Sequence, residues 1–217
     1  MKLLLTSAGI TNTSIADSLL DLVGKPFSES DLVFVPTAAN VEDGDKTWLI
    51  DNLAEFRDLG FAKIEIVDIS AIHKERWLPK LEEADVIAFG GGNTSYLMDW
   101  VIRSGLKDRL RKLLENRVYV GISAGSIIAC ESIDKKSAES VYGEKIIGYD
   151  FDEGLGYFGA VIRPHLGSDG LDMKRMEALA AQFNETFYAI DDQTAIVSDN
   201  GRVEVISEGT WKKFEVR

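Results

Sequence analysis

The sequence predicts an α/β fold, in which a mostly parallel sheet is flanked by helices and antiparallel strands follow at the C-terminal end. Three observations favour this fold. Short apolar runs bounded by turn residues recur through the first half of the chain, as is typical of strands buried on both faces. Segments with helical spacing separate these runs, as in βαβ units. Towards the C-terminus the runs follow one another closely, and an Asn-Gly turn separates two of them.

The first half of the chain carries the predicted parallel strands and the two clearest helices. Five apolar runs are predicted strands, at 3–5, 32–35, 64–67, 86–89 and 118–120. Asn93 is a favourable N-cap, and the inner face of the helix that it opens would carry Leu97, Met98 and Val101. One face of the next predicted helix carries Leu106, Leu110, Leu113 and Leu114. Strands that alternate with such helices predict a parallel sheet.

After residue 150 the pattern changes. A predicted strand at 160–162 leads into the loop "RPHLGSDG", and one face of the following helix would carry Met176, Leu179, Ala180 and Phe183. Further strands are predicted at 187–190, 195–197, 203–205 and 211–216. The Asp-Asn-Gly sequence at 199–201 predicts a tight hairpin, because Asn-Gly accepts the positive φ angles of such turns. No repeat or linker divides the chain, so we expect a single domain over residues 1–217.

The composition excludes several classes of partner. The formal net charge of −12 would repel nucleic-acid phosphates and anionic lipid headgroups, so we expect neither nucleic acid nor a membrane as partner. Cys130 is the single cysteine, which excludes an intrachain disulfide and fits a reducing compartment. No stretch approaches the roughly 20 apolar residues that cross a bilayer. We therefore expect a cytoplasmic protein, either a monomer or a homodimer.

A G-x-S-x-G motif follows the predicted strand at 118–120. It consists of Gly121, Ser123 and Gly125, and an apolar segment comes directly after it. A serine on such a strand-to-helix turn has its Oγ exposed above the sheet, and the next amide, that of Ala124, would face an oxyanion. The motif therefore predicts a nucleophilic serine, although a glycine-rich turn with an incidental serine is the structural alternative.

A second glycine-rich turn follows the predicted strand at 86–89. Gly90, Gly91 and Gly92 end this strand, and Asn93 opens a helix. Glycines let backbone N–H groups approach a ligand, and a helix N-terminus carries partial positive charge, so the turn predicts an anion or oxyanion cradle. A phosphate loop is disfavoured, because the G-x-G-x-x-G spacing and the Walker lysine are both missing. The carboxyl ends of parallel strands bind ligands, so this turn would complement Ser123.

A catalytic serine also needs a general base, and the chain contains two histidines. His73 lies in the polar stretch "AIHKERW", where a solvated surface position is expected. His165 lies at the end of a predicted strand, where functional side chains collect, so it is the predicted base.

The base in turn needs a carboxylate to fix its tautomer. Asp191 and Asp192 lie between two apolar strands, and we select Asp192. Other acids stay open at this point, namely Asp134, Asp150, Asp152, Glu153 and Asp169. Cys130 falls after the turn, within the following helix, so we interpret it as a small core residue rather than a nucleophile.

Four motifs together resemble the peptidase E family, the aspartyl dipeptidases related to cyanophycinase. They are "FGGGNT" at 89–94, "GISAGS" at 121–126, "RPH" at 163–165 and "AIDDQTA" at 189–195. Their order and the chain length agree with the family as well. The resemblance implies a fold similar to the class I glutamine amidotransferases and a Ser-His-Glu or Ser-His-Asp triad, with no metal or cofactor.

Carried over motif by motif, the resemblance implies specific roles. Ser123 would be the nucleophile, His165 the base, and Asp192 would stand where typical members have Glu. The implied oxyanion hole comprises the amides of Gly91, Gly92 and Ala124. Apart from the resemblance, Asn93 is an expected substrate contact, and Arg163, Lys174 and Arg175 are candidate cationic partners for an acidic side chain. An ordinary surface position is the alternative for the three basic residues.

The sequence therefore predicts a serine peptidase, expected to be a dipeptidase, that cleaves short peptides with an N-terminal acidic residue through an acyl-enzyme. Two departures from typical members are visible. Arg163-Pro164-His165 replaces Asn-Pro-His, and the loop after the histidine is shorter and reads "LGSDGLDMKR". A non-catalytic binding or regulatory homologue and an esterase or amidase acting on a non-peptide acyl group are the alternatives.

Overall fold

A computed structural model of the protein describes residues 1–135, 138–168 and 170–215. The first five strands are β1 Lys2–Thr6, β2 Asp31–Val35, β3 Lys63–Ile66, β4 Val86–Phe89 and β5 Val118–Ile122. The other strands are β6 Val161–Arg163, β7 Phe187–Ile190, β8 Thr194–Asp199, β9 Arg202–Ser207 and β10 Trp211–Phe214. The helices are α1 Thr13–Val23, α2 Thr47–Leu59, α3 Lys74–Glu83, α4 Thr94–Arg103, α5 Lys107–Leu113, α6 Ala124–Ala129 and α7 Met173–Ala180. All the predicted strands start or end within a few residues of the observed ones.

Seven strands form the main sheet, in the order β3-β2-β4-β5-β1-β8-β9. The first five strands of this order are parallel, and β8 and β9 are antiparallel additions at one edge. Apolar clusters cover both faces of the sheet, which explains why the central strands read as continuous apolar runs. The predicted α/β fold is confirmed.

Three strands lie outside the main sheet, a division that the sequence prediction did not make. β10, β7 and β6 form a second, small sheet in that order. The β8–β9 hairpin extends the main sheet at the edge next to β1. β6 and β7 pack with α7 around a separate apolar cluster. β3 also differs from expectation, because it is an edge strand whose Ile66 is 54% exposed.

The helix and hairpin predictions hold in most details. Asn93 caps α4, and the predicted inner residues of α4 and the leucines at α5 are buried. α7 ends at Ala180, so Phe183 packs against the small cluster from beyond the helix. In the hairpin between β8 and β9, Asn200 and Gly201 have φ angles of 49° and 89°, as a type I′ turn requires. No helix in the described ranges combines the length and apolar character needed to cross a membrane.

The strand order determines where the site lies. β4, β5 and β1 are neighbours and parallel, so the residues that follow them meet at one edge of the sheet. β8 runs antiparallel beside β1, with Thr6 paired to Ala195, so the turn before β8 reaches the same edge. Four segments that are distant in sequence therefore converge at the carboxyl ends of the parallel strands.

Candidate active site

Ser123 lies on a strained turn between β5 and α6. Its φ and ψ angles are 50° and −107°, a backbone conformation that residues other than glycine rarely adopt. Its N–H donates to the carbonyl of Thr6 at 3.1 Å, which ties the turn to β1. A Cβ at Gly125 would overlap the carbonyl oxygen of Phe89, so α6 can pack on β4 only with glycine there. The geometry is that of a nucleophile elbow.

His165 faces the serine. Its Nε2 lies 3.0 Å from Oγ of Ser123. The residue follows β6 and also has a positive φ, of 64°, which turns the imidazole toward the elbow. Its backbone N–H donates to Oγ of Ser7 at 2.8 Å, so the loop is anchored next to the end of β1.

Asp192 lies behind the imidazole. Its Oδ1 is 2.7 Å from Nδ1 of His165 and accepts a second hydrogen bond of 2.6 Å from Oγ of Ser7. The bond to His165 is the main cause that lowers the pKa of Asp192, partial burial opposes it, and the bond from Ser7 adds to it. An ionised carboxylate only accepts hydrogen bonds, so Nδ1 of His165 carries a proton, and in the neutral imidazole Nε2 is the ring nitrogen that can accept from Ser123.

The other acids that the sequence left open are engaged elsewhere. Asp191 closes the turn before β8, where its two oxygens accept bonds from the hydroxyl of Thr194 at 2.7 Å and the N–H of Thr210 at 2.5 Å. The remaining described acids pair with other groups or are exposed, namely Asp134, Asp150, Asp152 and Glu153. Asp169 lies outside the described residues. Among the described carboxylates, the one that bonds His165 is therefore Asp192.

The glycine turn after β4 lies beside the serine. A Cβ at Gly91 would be 3.4 Å from Cβ of Ser123, so the two backbones are close. Gly92 has a φ of 122°, and a Cβ there would overlap the carbonyl of Ala38. Within the described part of the chain, the N–H groups of Gly91 and Gly92 donate no hydrogen bond to protein. The N–H of Ala124 opens α6 and so has no intrahelical acceptor. These three amides are available to an oxyanion.

Asn93 does not fit the substrate contact that the sequence suggested. It is 2% exposed, and its Oδ1 accepts the N–H of Tyr96 and the hydroxyl of Ser95, while its Nδ2 donates to the carbonyl of Lys145. Its side chain is thus fully used in capping α4 and holding the segment that follows residue 143. These contacts use the whole side-chain amide, and Asn93 is not among the residues that line the cleft, so a substrate-binding role stays a prediction.

Arg163 does not fit the predicted substrate contact either. It is 1% exposed, it pairs with Asp134 at 2.8 Å, and its guanidinium packs against the rings of Phe183 and Phe187. Its side chain therefore points into the small apolar cluster. Arg175 is exposed and binds the carbonyls of Ser140 and Gly170, and Lys174 is exposed as well. None of these three basic residues lines the cleft at Ser123.

The cleft above Ser123 has a volume of about 670 Å³. One face of α2 forms a wall of it through Trp48, Asp51, Asn52 and Glu55, which recur at helical spacing. Six carboxylates line the cleft, those of Glu42, Asp43, Asp51, Glu55, Glu144 and Asp192. No lysine or arginine of the described residues lines it.

Sequence reasoning missed two parts of this site. Ser7, which bonds both His165 and Asp192, directly follows β1, and this position beside the end of β5 was the available signal. The cleft-facing side of α2 was missed because α2 contributes no glycine motif or histidine. The two residues that sequence reasoning set aside lie as expected: His73 is exposed, and Cys130 is buried just after α6, where burial raises its pKa to about 12.

Comparison with known proteins agrees with this geometry. The model of peptidase family S51 matches residues 3–206. An uncharacterised peptidase of Pasteurella multocida (strain Pm70) is 31% identical over 121 residues, which cover 55% of this chain and 57% of that protein. The match thus spans less than two thirds of that relative. Peptidase E of Salmonella gallinarum (strain 287/91) is 25% identical over 214 residues, covering 95% of this chain and 85% of that protein.

Two solved structures have the same fold. A candidate peptidase E protein from Listeria monocytogenes EGD-e superposes with a TM-score of 0.81 at 20% identity, covering 96% of this chain and 98% of that one. A peptidase from an acI-B1 Actinobacterium gives a TM-score of 0.71 at 17% identity, covering 99% and 94%. With the family model matching nearly the whole sequence from β1 to β9, this chain belongs to peptidase family S51.

Proposed function

We propose that this protein is a serine peptidase that hydrolyses short peptides, with Ser123 as nucleophile and His165 as general base. The observation that carries the proposal is the line of contacts from Oγ of Ser123 through the imidazole to Asp192, with distances of 3.0 and 2.7 Å. A serine hydroxyl is a weak nucleophile on its own, and this arrangement supplies both the base and the group that orients it.

In the acylation step, Oγ of Ser123 attacks the carbonyl carbon of the scissile peptide bond and its proton passes to Nε2 of His165. Asp192 holds the imidazole in the required tautomer and stabilises the imidazolium that forms. The negative charge that develops on the carbonyl oxygen is held by the amides of Ala124 and of Gly91 and Gly92. The C–N bond then breaks, and the imidazolium returns the proton to the leaving amine.

Deacylation uses the same groups in reverse. A water molecule gives a proton to Nε2 of His165 and attacks the ester carbonyl of the acyl-enzyme. The second tetrahedral intermediate collapses, the carboxylic acid leaves, and Ser123 regains its proton from the imidazolium. No group besides these residues and water is needed to balance either step.

Short substrates are part of this proposal. A cleft of about 670 Å³ falls within the range of about 300–1,000 Å³ that is usual for small-molecule sites, so it suits a peptide of a few residues. The proposal of dipeptidase action rests on the resemblance to the peptidase E family. The preference for an N-terminal acidic residue, which the resemblance also implied, has no support in a cleft lined by six carboxylates.

Labelling with a fluorophosphonate tests the proposal directly. The probe is expected to modify Ser123, as detected by peptide mass spectrometry, and Ser123→Ala is expected to abolish labelling and to lower kcat on dipeptides by about 10⁶-fold. Ser126→Ala is the matched control, because this serine lies in α6 three residues after Ser123 and donates to the carbonyl of Thr6 instead of facing His165. The control is expected to label normally.

Two results would contradict the proposal. An unlabelled Ser123 in folded protein would favour a non-catalytic binding protein, and near-native turnover by Ser123→Ala would exclude the nucleophile. Parallel assays with dipeptides and with small esters separate a peptidase from an esterase. Hydrolysis of esters without any of peptides would replace the proposed substrate class.

A further inference from the structure

The charge of the cleft is distributed over several elements. Asp51 and Glu55 project from α2, Glu42 and Asp43 come from the loop that precedes it, and Glu144 comes from the segment after residue 143. These five carboxylates are separate from Asp192, which His165 engages. Because no lysine or arginine of the described chain lines the same cleft, its interior has a strongly negative potential.

Glu144 fills the position where an anionic substrate group would otherwise bind. Its two oxygens accept the N–H and the hydroxyl of Thr94, both at 3.0 Å, in the first turn of α4. A helix N-terminus attracts anions, and here the protein supplies the anion itself. An acidic side chain of a substrate would therefore meet a carboxylate at the helix start where the sequence predicted an anion cradle.

Within the described part of the chain, none of these five carboxylates forms an ion pair, and Glu55 and Glu144 are in addition partly buried. Burial raises the pKa of both, since it removes water from the charged form. A carboxylate in this state gains most from a cation that arrives with a ligand.

Trp48 offers an apolar surface next to the nucleophile. Its ring is close to Gly91, with 3.6 Å from a ring carbon to the position of a Cβ at Gly91, and the same position lies 3.4 Å from Cβ of Ser123. Trp48 is 37% exposed, so part of its ring is open to a ligand. An indole face packs against the aliphatic stem of lysine or arginine and attracts their cationic heads.

These observations, which build on the proposed peptidase activity, lead us to propose a substrate class. We propose that the substrate is a short peptide with a lysine or arginine residue beside the scissile bond. The stem of this residue packs on Trp48, and its cationic head binds the carboxylates of Glu144 and of α2. A terminal amine alone does not account for five carboxylates spread over three segments.

Matched dipeptides test this proposal. Lys-Ala is compared with norleucine-Ala, and Ala-Lys with Ala-norleucine, because norleucine keeps the stem and removes the charge; Asp-Ala completes the set. At low ionic strength, at least one lysine peptide is expected to exceed its norleucine partner in kcat/KM by about tenfold, with Asp-Ala the poorest. The preference is expected to shrink as salt is added.

Variants of the carboxylates locate the effect. The double variant Glu55→Gln/Glu144→Gln is expected to reduce kcat/KM for the preferred lysine peptide about tenfold more than for its norleucine partner. Glu153→Gln is the control, because this glutamate is exposed and lies outside the cleft. If the double variant does not fold, Asp51→Asn takes its place, since Asp51 is an exposed position on α2.

The outcomes separate this proposal from the proposed function. Equal kcat/KM for lysine and norleucine peptides at both positions, or a preference for Asp-Ala, overturns the proposed substrate class. The proposed peptidase function is still supported in that case if the fluorophosphonate labels Ser123. Absence of both labelling and hydrolysis overturns the peptidase function and the substrate class together.

Discussion

Ser7 and Ser123 contact His165 from two sides. Ser123 lies at Nε2, whereas Ser7 accepts the backbone N–H of His165 and donates to the carboxylate of Asp192. Ser7 is fully buried, so it has little freedom to leave these contacts. It therefore fixes the relative position of base and acid through these two bonds, and we assign it a positioning role.

Replacing Ser7 by alanine is expected to lower kcat by about 10- to 100-fold, because a hydrogen bond to a charged group contributes about 1.5–3 kcal/mol. KM is expected to change little, since Ser7 acts through the orientation of the imidazole. Ser7→Thr restores the hydroxyl and is expected to recover part of kcat, which a purely structural defect would not show. Steady-state kinetics of the three proteins measures this.

A matched control for Ser7 exists on α1. Ser14 donates to Glu208 at 2.6 Å, the same distance as from Ser7 to Asp192, but on an exposed surface away from the cleft. Ser14→Ala is expected to leave kcat unchanged. A loss of kcat in Ser14→Ala equal to that in Ser7→Ala would mean that the effect is general destabilisation rather than positioning.

Asp191 and Asp192 are adjacent but are expected to respond differently to substitution. Asp192→Asn is expected to lower kcat by about 10⁴-fold, because an amide can donate to Nδ1 and thereby stabilise the wrong tautomer of His165. Asp191→Asn disturbs the turn before β8 and is expected to lower the free energy of unfolding by about 1–2 kcal/mol with little change in kcat. Kinetics and urea unfolding of both variants distinguish these roles, and the reverse pattern would exchange the assignments.

At the scale of elements, the site depends on how α4 and α6 begin. α6 begins at the elbow, where the glycine at position 125 permits contact with β4. α4 begins at Asn93, and its first N–H groups are used by Asn93 and Glu144. The two helix starts look alike in sequence, yet only the first leaves an amide for an oxyanion at its N-terminus. The glycines before α4, and not the helix itself, are the second source of donors.

Asn93→Ala tests whether the side chain acts as a helix cap or as the predicted substrate contact. The variant is expected to lose about 1–2 kcal/mol of unfolding free energy, since it removes an N-cap and leaves partners of a buried amide unsatisfied. KM for small peptides is expected to stay within a few fold, because the side chain does not reach the cleft. Thermal unfolding and Michaelis–Menten kinetics check both, and a large rise in KM with unchanged stability would restore the original assignment.

The distance in sequence between contacting residues explains which parts of the site could be predicted. The elbow serine and the hairpin at β8–β9 depend on neighbouring residues, so local motifs predicted them. The contacts of Asn93 and Arg163 with residues 145 and 134 could not be predicted, because these partners are not neighbours in sequence. A loop arginine reads as a free cation until the fold buries it against an acid and two aromatic rings.

At the scale of the whole molecule, the cleft contains carboxyl groups whose pKa values are shifted in opposite directions. The pKa of Asp192 is lowered, first by its bond to His165, whereas burial raises the pKa values of Glu55 and Glu144. The contribution of Asp192 to stability is present above its unfolded pKa of about 3.9 and is lost as pH falls through the folded value. The two glutamates act in the opposite direction: their cost appears as pH rises above about 4.3, the unfolded value.

The free energy of unfolding is therefore expected to be greater at mildly acidic pH than at neutral pH. The net charge of −12 acts in the same direction, since acidification reduces self-repulsion. Urea unfolding followed by circular dichroism at pH 5 and pH 7.5 measures the difference. Glu55→Gln/Glu144→Gln is expected to reduce it, and an unchanged difference in the double variant would show that these two carboxyls do not contribute.

The sequence by itself determined the α/β class, the elbow at Ser123, the choice of His165 and the antiparallel hairpin, because each depends on local periodicity or on residues close in the chain. Only the tertiary structure decided which carboxylate faces the imidazole, that Ser7 links the two, and that the cleft is acidic. These features depend on strand order, which brings the ends of β1, β4, β5 and the turn before β8 to one edge. Side chains far apart in sequence become neighbours there, and no local pattern records that proximity.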